Sequence, residues 1–157
     1  MPVRLNVCSM NKKPKVFLDA CCWIAAAISP DGGSAKILKL AKAGYIQIVV
    51  TKEILIEAHR NIKEDKKNGK KALTRFYCEL QTTKIITVDE PTNEEKDCWR
   101  SLVAEKDCHV LAGAYKANAD FLVSLDKKHI LTEKVKKEFP IPVMDTKEFL
   151  TEILSNF

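Results

Sequence analysis

Short apolar runs alternate with helical patterns along this chain, and that alternation constrains the fold more than any other feature. Five runs rich in β-branched and aromatic residues predict strands, at residues 15–18, 46–50, 84–88, 121–124 and 142–144. Apolar residues at helical spacing predict helices at about 20–28, 35–43, 52–62, 71–81, 92–103, 107–117 and 146–154. Strands separated by helices are typical of a parallel sheet covered on both faces. We therefore expect a three-layer α/β/α sandwich around a central, mainly parallel sheet of about five strands.

Local signals support this division into elements. Ser34 and Thr51 are residue types that cap helix N-termini, and each stands before a helical pattern. Residues 63–70, with the sequence KEDKKNGK, are polar and predict a mobile connection between two helices. No repeat, low-complexity tract or linker divides the pattern. We therefore expect a single domain over residues 1–157, with residues 1–14 as a flexible N-terminal segment.

The composition excludes a membrane protein and favours a globular protein of the cytoplasm. Hydrophobic residues make up 46% of the chain and charged residues 30%. No stretch approaches the roughly 18 apolar residues that a membrane span requires. The N-terminal sequence MPVRLNVCSMNKKPK lacks the apolar core and cleavage site of a secretory signal. We therefore expect a cytoplasmic location.

The cysteines do not form a recognisable metal or redox motif. Six cysteines stand at positions 8, 21, 22, 78, 98 and 108, and no two have the CxxC spacing. A zinc ribbon or a thioredoxin-type motif therefore cannot be built from neighbouring ligands. A chain of this length also has enough core without disulfides. We expect free and mostly buried thiols.

Positive charge favours a polyanionic partner without requiring one. The formal net charge is +5 at pH 7. Lysines and arginines concentrate in three runs, at residues 12–15, 63–75 and 134–137. Each run can equally be the solvated face of a helix or loop.

Four acids occur where they could meet at one edge of the expected sheet. Asp19 directly follows the first strand, and Asp126 stands two residues after the fourth. Glu57 and Asp107 lie early in helices that begin at the same edge. Open parallel sheets bind ligands outside the carboxyl ends of their strands. Carboxylates packed together repel one another unless a cation neutralises them, so this arrangement favours Mg²⁺ or Mn²⁺.

Each acid also has a purely structural interpretation. Asp19 and Asp107 could cap the helices that follow them, because Asp is favoured at that position. Glu57 could be an ordinary surface residue on the flank of an apolar stripe. Asp120 is better interpreted as a turn residue before the fourth strand than as a ligand.

Taken together, the order and spacing of these segments resemble the PIN domain family, the fold of VapC-type toxin ribonucleases and related RNA-processing nucleases. No single segment is specific, since tripeptides such as LDA and SLD occur in many proteins. The resemblance extends over nearly the whole chain. The segments that carry it are 16–20 (VFLDA), 28–35 (ISPDGGSA), 49–57 (VVTKEILIE), 107–114 (DCHVLAGA), 119–126 (ADFLVSLD) and 141–150 (IPVMDTKEFL).

The resemblance implies both a site and an activity. Asp19, Glu57, Asp107 and Asp126 correspond to the family's metal-binding catalytic acids, and Ser124 matches the hydroxyl residue beside them. The implied activity is hydrolysis of RNA phosphodiester bonds with Mg²⁺ or Mn²⁺, as the toxin of a toxin–antitoxin pair. The implied partners are an RNA substrate, a cognate antitoxin and a second copy of the chain. The sequence does not distinguish among RNA classes or exclude structured DNA.

Two positions depart from the family pattern and support an alternative function. After the first acid the family more often has Thr followed by Asn or Ser, whereas this chain has Ala20 and Cys21. A catalytically weak PIN-like module that binds RNA or protein is therefore the alternative. His59 and Arg60 are candidates for contacts with substrate phosphates, although a solvated role would suit them equally.

Two other α/β folds fit the sequence less well. A phosphatase of the haloacid dehalogenase type needs a second acid two residues after the first, where this chain has Cys21. A Rossmann domain needs a glycine-rich loop after the first strand, and the sequence there is ACCW.

Overall fold

The computed structural model describes residues 12–156 as a parallel sheet covered by helices. The strands are β1 Lys15–Leu18, β2 Gln47–Thr51, β3 Ile85–Val88, β4 Phe121–Val123 and β5 Val143–Met144. The helices are α1 Ala20–Ile28, α2 Gly33–Lys42, α3 Lys52–Glu64, α4 Gly69–Thr82, α5 Asn93–Asp97, α6 Cys108–Lys116, α7 Glu133–Glu138 and α8 Thr146–Leu154. A 3₁₀ turn, Glu105–Asp107, leads into α6.

The sheet has the strand order β3-β2-β1-β4-β5, and all four pairings are parallel. Phe17 of the central strand β1 pairs with Val49 on one side and with Leu122 on the other. Val16, Phe17 and Leu18 are each 0% exposed. Successive side chains of a strand point to opposite faces, so both faces of the sheet must be covered. The expected α/β/α architecture is confirmed.

The strand order creates a switch point between β1 and β4. From β1 the chain proceeds through β2 to the edge strand β3, and then crosses to β4 on the other side of β1. The connections that follow β1 and β4 therefore leave the sheet in opposite directions, so a ligand-binding crevice is expected at the carboxyl ends of these two strands. The strands end together, since Leu18 pairs with Val123 and the Asp19 N–H donates to the Val123 carbonyl at 3.0 Å.

One predicted helix differs from the structure, and one observed helix has no counterpart among the predictions. The helix expected at 92–103 is wrong beyond Asp97, because the chain turns at residues 98–102. Trp99 there packs against the rings of Tyr115 and Phe139, at 5.3 and 4.8 Å between ring centroids. Tertiary packing therefore overrides the helical pattern. The short helix α7 was not predicted, because it buries only Val135 and has no apolar stripe.

The lysine-rich connection is shorter than the sequence predicts. Helix α3 continues to Glu64 and α4 begins at Gly69, so that only a short turn separates them. The Asp65 carboxylate accepts the backbone N–H groups of Lys67 and Asn68, both at 2.9 Å. These bonds hold the turn, since an Asp side chain can replace backbone partners there.

The described cysteines are free thiols, as expected. Cys22 and Cys108 are buried and Cys21 is half-buried, but Cys78 and Cys98 are exposed, so the expectation of mostly buried thiols fails for these two. Cys8 and most of the expected flexible segment 1–14 lie outside the described residues. No helix within residues 12–156 is long and apolar enough to cross a membrane.

Candidate active site

Asp19 lies at the switch point, directly after β1 and hydrogen-bonded to the end of β4. It precedes α1, and its Oδ1 accepts the Ala20 N–H at 2.8 Å. Its Oδ2 accepts the hydroxyl of Ser124 at 2.8 Å, across the gap to the end of β4. The residue is only 6% exposed. Burial raises the pKa of the Asp19 carboxyl, and the hydrogen bonds from Ser124 and Ala20 offset part of that increase.

Ser124 connects the two sides of the crevice. Its hydroxyl is fully buried, donates to Asp19, and accepts the Asp126 N–H at 3.1 Å. The Cys21 thiol lies 3.5 Å from the same hydroxyl and accepts the Leu125 N–H at 3.2 Å. Cys21 therefore participates in the polar network at a position where a hydroxyl or amide was expected.

The Asp126 carboxylate is hydrogen-bonded to the loop that follows β4. Its Oδ1 accepts the N–H groups of Lys128 and His129, at 3.1 and 2.9 Å, and its Oδ2 lies 3.2 Å from His129 Nδ1. These contacts fix the carboxylate at the end of β4. They also occupy oxygens that a metal ion would use.

Asp107 presents an oxygen without a partner. It occupies the cap position of α6, yet its side chain makes no capping hydrogen bond. Its Oδ2 is buried and has no hydrogen-bond partner among the described residues. Burial raises the pKa of the Asp107 carboxyl; nearby Lys106 and His129 oppose the increase, and Asp126 adds to it. The geometry does not support the interpretation of Asp107 as a helix cap.

His109 is a site residue that the sequence analysis missed. Its Nε2 lies 3.4 Å from Glu57 Oε1, and its Nδ1 lies 3.9 Å from Glu53 Oε2. Burial lowers the pKa of His109, but the Glu57 hydrogen bond and the charges of Glu53, Glu57 and Asp19 raise it, and the net change is an increase. The available signal was a histidine on a helix whose residues 108–114 are otherwise apolar, two positions after Asp107.

A glycine lets α6 approach the sheet closely enough to bring these groups together. A Cβ atom at Gly113 would lie 2.9 Å from Phe17 Cζ and 3.1 Å from Thr51 Cγ2. Contacts this short do not occur without movement of the neighbours, so only glycine permits the approach. The N-terminal turn of α6, with Asp107 and His109, is thereby held near the ends of β1 and β2.

Electrostatic effects couple the four acids as two pairs, and His109 acts on one member of each pair. The charge of Glu57 raises the pKa of Asp19, and the charge of Asp126 raises the pKa of Asp107. His109 lowers the pKa of both aspartates. The convergence of all four acids on one ion stays a prediction.

The donor set fits a hard divalent cation in chemistry. Carboxylate oxygens are the ligands such ions prefer, and the orphaned Oδ2 of Asp107 and the buried carboxyl of Asp19 both gain from a nearby positive charge. No three His, Cys, Asp or Glu side chains within residues 12–156 are grouped closely enough to hold a metal ion as they stand. Glu57 contacts His109, and Asp126 is bound to its own loop.

Three other residues considered from the sequence lie apart from the acids. His59 Nδ1 lies 2.7 Å from the Tyr77 hydroxyl, and Arg60 is exposed. Neither forms a hydrogen bond or ion pair with the four acids in the described part of the chain. Asp120 accepts the Lys15 N–H at 2.8 Å at the opposite edge of the sheet, which agrees with its interpretation as a structural residue.

Comparison with known proteins identifies the family. The PIN domain profile matches residues 15–128, which contain β1 to β4 and all four acids. The chain belongs to the PIN domain family. The resemblance seen in the sequence is thereby confirmed. No curated protein matches this PIN domain by sequence.

Solved structures share the fold of this PIN domain at low sequence identity. PAE2754 from Pyrobaculum aerophilum has a TM-score of 0.62 at 14% identity, covering 90% of this chain and 96% of that one. VapBC2 from Rickettsia felis, bound to a DNA fragment from their promoter, has a TM-score of 0.58 at 15% identity, covering 83% and 98%. VapC20 of Mycobacterium tuberculosis, a Sarcin-Ricin loop cleaving toxin, has a TM-score of 0.54 at 14% identity, covering 79% and 95%.

Proposed function

We propose that this PIN domain is a metal-dependent endoribonuclease that hydrolyses RNA phosphodiester bonds. The observation that carries the proposal is the perturbed state of two aspartates, Asp19 at the switch point and Asp107 at the start of α6. Asp19 is buried with a raised pKa, and Asp107 has a buried oxygen without a partner. Perturbed carboxyl groups in a crevice at a switch point are typical of a catalytic site.

The proposed metal ligands are Asp19, Glu57, Asp107 and Asp126, and the proposed ion is Mg²⁺ or Mn²⁺. Such an ion, when bound, lowers the pKa of a water molecule and stabilises charge on the phosphate under attack. Ser124 supports this chemistry because its hydroxyl holds Asp19 Oδ2 in one orientation. Glu57 must leave its contact with His109 in order to join the other acids.

In this proposal the basic residues bind the phosphates of the substrate. Four carboxylates repel a polyanion, so lysines and the proposed contacts from Arg60 and His59 must reverse the sign of the interaction with phosphates. The net charge of +5 is consistent with this role.

A role as a toxin follows from the same proposal. Two of the solved structures with this fold are VapBC2 bound to promoter DNA and VapC20, a Sarcin-Ricin loop cleaving toxin. We infer that this chain acts in the cytoplasm as the toxin of a toxin–antitoxin pair and binds an antitoxin and a second copy of itself. Induced expression is expected to arrest growth, and expression of Asp19→Asn is not.

A PIN-like module that binds RNA or protein without cleavage is the second candidate. The specific observation in its favour is that Glu57 is bound to His109 while Cys21 occupies the position of a polar residue next to the first acid. Such a module would bind RNA equally well with and without Asp19, and its expression would not arrest growth.

The test is cleavage of labelled RNA by purified protein that has been stripped with EDTA and then given Mg²⁺ or Mn²⁺. Asp19→Asn should lower the rate at least about 100-fold, since the catalytic contribution of a metal is worth several kcal/mol. Asparagine can still accept the Ala20 N–H and donate to Ser124 Oγ, so the fold should survive.

Asp120→Asn is the matched control for this experiment. It makes the same chemical change at the opposite edge of the sheet, where Asp120 is exposed and bonds only to the Lys15 backbone. The control should cleave at nearly the rate of the wild type. Metal-dependent cleavage that persists in Asp19→Asn would show that the carboxylate assignment is wrong.

A further inference from the structure

The hairpin of α3 and α4 exposes a basic surface with an aromatic residue in it. We call it the hairpin face and define it by His59, Arg60, Lys63, Lys66, Lys70 and Tyr77. Residues 59, 60 and 63 are neighbours on α3, and residues 70 and 77 lie two turns apart on one side of α4. The 2.7 Å contact between His59 and the Tyr77 hydroxyl joins the two helices.

The cations of the hairpin face are not neutralised by the protein. Residues 60–71 contain six lysines and arginines but only two acids, Glu64 and Asp65. None of these six cations forms an ion pair within residues 12–156. Asp65 is committed to the backbone of the turn, and those hydrogen bonds lower its pKa. The positive charge is therefore available to a partner.

The position of the lysines is unfavourable for the fold itself. Lys70 and Lys71 lie in the first turn of α4, where the helix dipole is positive and no side chain caps the helix. Positive charges at a helix N-terminus are repelled by the dipole. Stability therefore does not explain the lysines, whereas a polyanionic partner does.

Tyr77 provides a fixed aromatic surface among these cations. The residue is 46% exposed, although its hydroxyl bonds to His59 and its ring packs against Phe76 at 5.3 Å between centroids. A ring held in this way loses little conformational entropy when a base stacks on it. A cationic surface with an exposed aromatic ring is the combination that binds single-stranded nucleic acids.

We propose that the hairpin face binds single-stranded RNA, with a base stacked on Tyr77 and backbone phosphates on Lys66 and Lys70. Arg60 of this face lies three residues after Glu57, which is about 4.5 Å along the axis of α3. RNA bound there would extend from the candidate active site as the flanking part of the substrate. This identification as substrate rests on the proposed ribonuclease function, whereas the binding itself does not.

The first experiment measures binding of a fluorescent single-stranded oligoribonucleotide by anisotropy over a range of salt concentrations, in EDTA so that no cleavage occurs. In Lys66→Gln/Lys70→Gln, the slope of log K against log salt should decrease by about 1.4, since each phosphate contact on a single strand contributes about 0.7. Lys36→Gln/Lys39→Gln on α2 is the matched control, because it removes two exposed, unpaired lysines from another helix. Its slope should equal that of the wild type.

The second experiment tests the stacking contact at constant salt. Tyr77→Ala should weaken binding about tenfold with little change in the salt slope, because stacking is not a contact with phosphate. Tyr77→Phe should bind nearly as well as the wild type, since it keeps the ring and loses only the bond to His59. A merely structural role of Tyr77 would not produce this combination.

Two results would overturn the proposal. If the salt slope decreases equally in Lys66→Gln/Lys70→Gln and in Lys36→Gln/Lys39→Gln, or decreases in neither, RNA is not bound at the hairpin face. A protein would then be the alternative partner of that face. If Tyr77→Ala binds like the wild type, no base stacks there. Failure of the ribonuclease proposal is distinct, because wild-type protein would then show the hairpin effects in EDTA but no cleavage with Mg²⁺ or Mn²⁺.

Discussion

At the scale of single residues, the chemistry of the candidate site depends on two carboxyl oxygens that differ in their surroundings. Asp19 Oδ2 is held by the Ser124 hydroxyl, whereas Asp107 Oδ2 is buried without a partner. A buried oxygen that forms no hydrogen bond costs free energy, about 1–3 kcal/mol or more when the group is charged. The fold therefore keeps an unfavourable group at the position where a cation would relieve the cost.

His109 supplies part of that relief within the protein. Its imidazole contacts Glu57 and Glu53 and lowers the pKa of both Asp19 and Asp107. The same contacts raise its own pKa above the usual 6.5. In its protonated form His109 is an internal counter-charge for the acids.

The stability of the metal-free protein should consequently depend on the charge of His109. A raised pKa means that the folded state favours the protonated form, so this contribution is fully present below pH 6.5 and is lost as the pH rises through the folded value. Denaturant unfolding in EDTA between about pH 6 and pH 8 should show the decline in the wild type, and His109→Gln should lack it.

His59→Gln is the matched control for this measurement, since His59 makes no contact with the acids. It should show the same decline as the wild type. A decline of equal size in His109→Gln would mean that His109 does not neutralise the cluster.

Single residues of the site differed in how far the sequence revealed them. Asp19 and Asp126 could be placed because strand ends are recognisable and every parallel strand ends at the same edge. Their hydrogen bonds could not be predicted, because Asp19 and Ser124 are 105 positions apart and the bond depends on strand order. His109 was not predicted as a site residue, since one histidine on an apolar helix is more often a core residue than a partner of carboxylates.

At the scale of elements, the close packing of α6 on the sheet is what carries Asp107 and His109 into the site. Gly113 faces Phe17 of β1 and Thr51 at the end of β2, both 0% exposed. Because buried neighbours are close-packed, they have little room to move away. The position of the whole helix therefore depends on the absence of one methyl group.

Gly113→Ala should destabilise the protein despite the better helix propensity of alanine. Overpacking costs about 1–3 kcal/mol, and replacing a helical glycine recovers up to about 1 kcal/mol. We expect a net loss of up to about 2 kcal/mol in urea unfolding, together with weaker Mn²⁺ binding as α6 shifts.

A double-mutant cycle with Phe17→Leu provides the control. Leucine lacks the ring atom that the new methyl group would meet at 2.9 Å, so Gly113→Ala should cost less in that background. Equal costs in the two backgrounds would place the origin of the effect elsewhere.

The elements most easily predicted were those whose local signals and packing agree. Helix α8 was predicted with its observed bounds, and Thr51 caps α3 as expected, with its hydroxyl accepting the Ile54 N–H. Residues 98–103 and α7 were not, because the first are positioned by the packing of Trp99 and the second buries a single residue. Sequence patterns report local preference, and these segments are decided by contacts from elsewhere in the chain.

At the scale of the whole molecule, the four candidate acids belong to a protein whose net charge is positive. Burial raises the pKa of both Asp19 and Asp107, so the stability of the metal-free fold falls as the pH rises from about 3.8 through their folded values. A divalent cation would reverse this trend, because it binds the ionised acids of the folded state alone.

Mn²⁺ should therefore raise the melting temperature of the wild type, and more so at higher pH. At about ten times the dissociation constant the shift should be about 3–6 °C for a chain of this size. Thermal melting at two pH values with and without Mn²⁺ measures it. Asp19→Asn should show a smaller shift and Asp120→Asn an unchanged one. A full shift in Asp19→Asn would show that Mn²⁺ binds elsewhere.

The hydrogen bond between Asp19 and Ser124 also sets a condition on synthesis. Asp19 leaves the ribosome before its partners on β4 and the following loop, which emerge only after about a hundred further residues have been added. A nascent or truncated chain that ends before β4 has no crevice, because the second wall does not yet exist. A protein whose proposed activity is RNA cleavage would therefore lack its candidate active site until β4 and the loop after it have been translated.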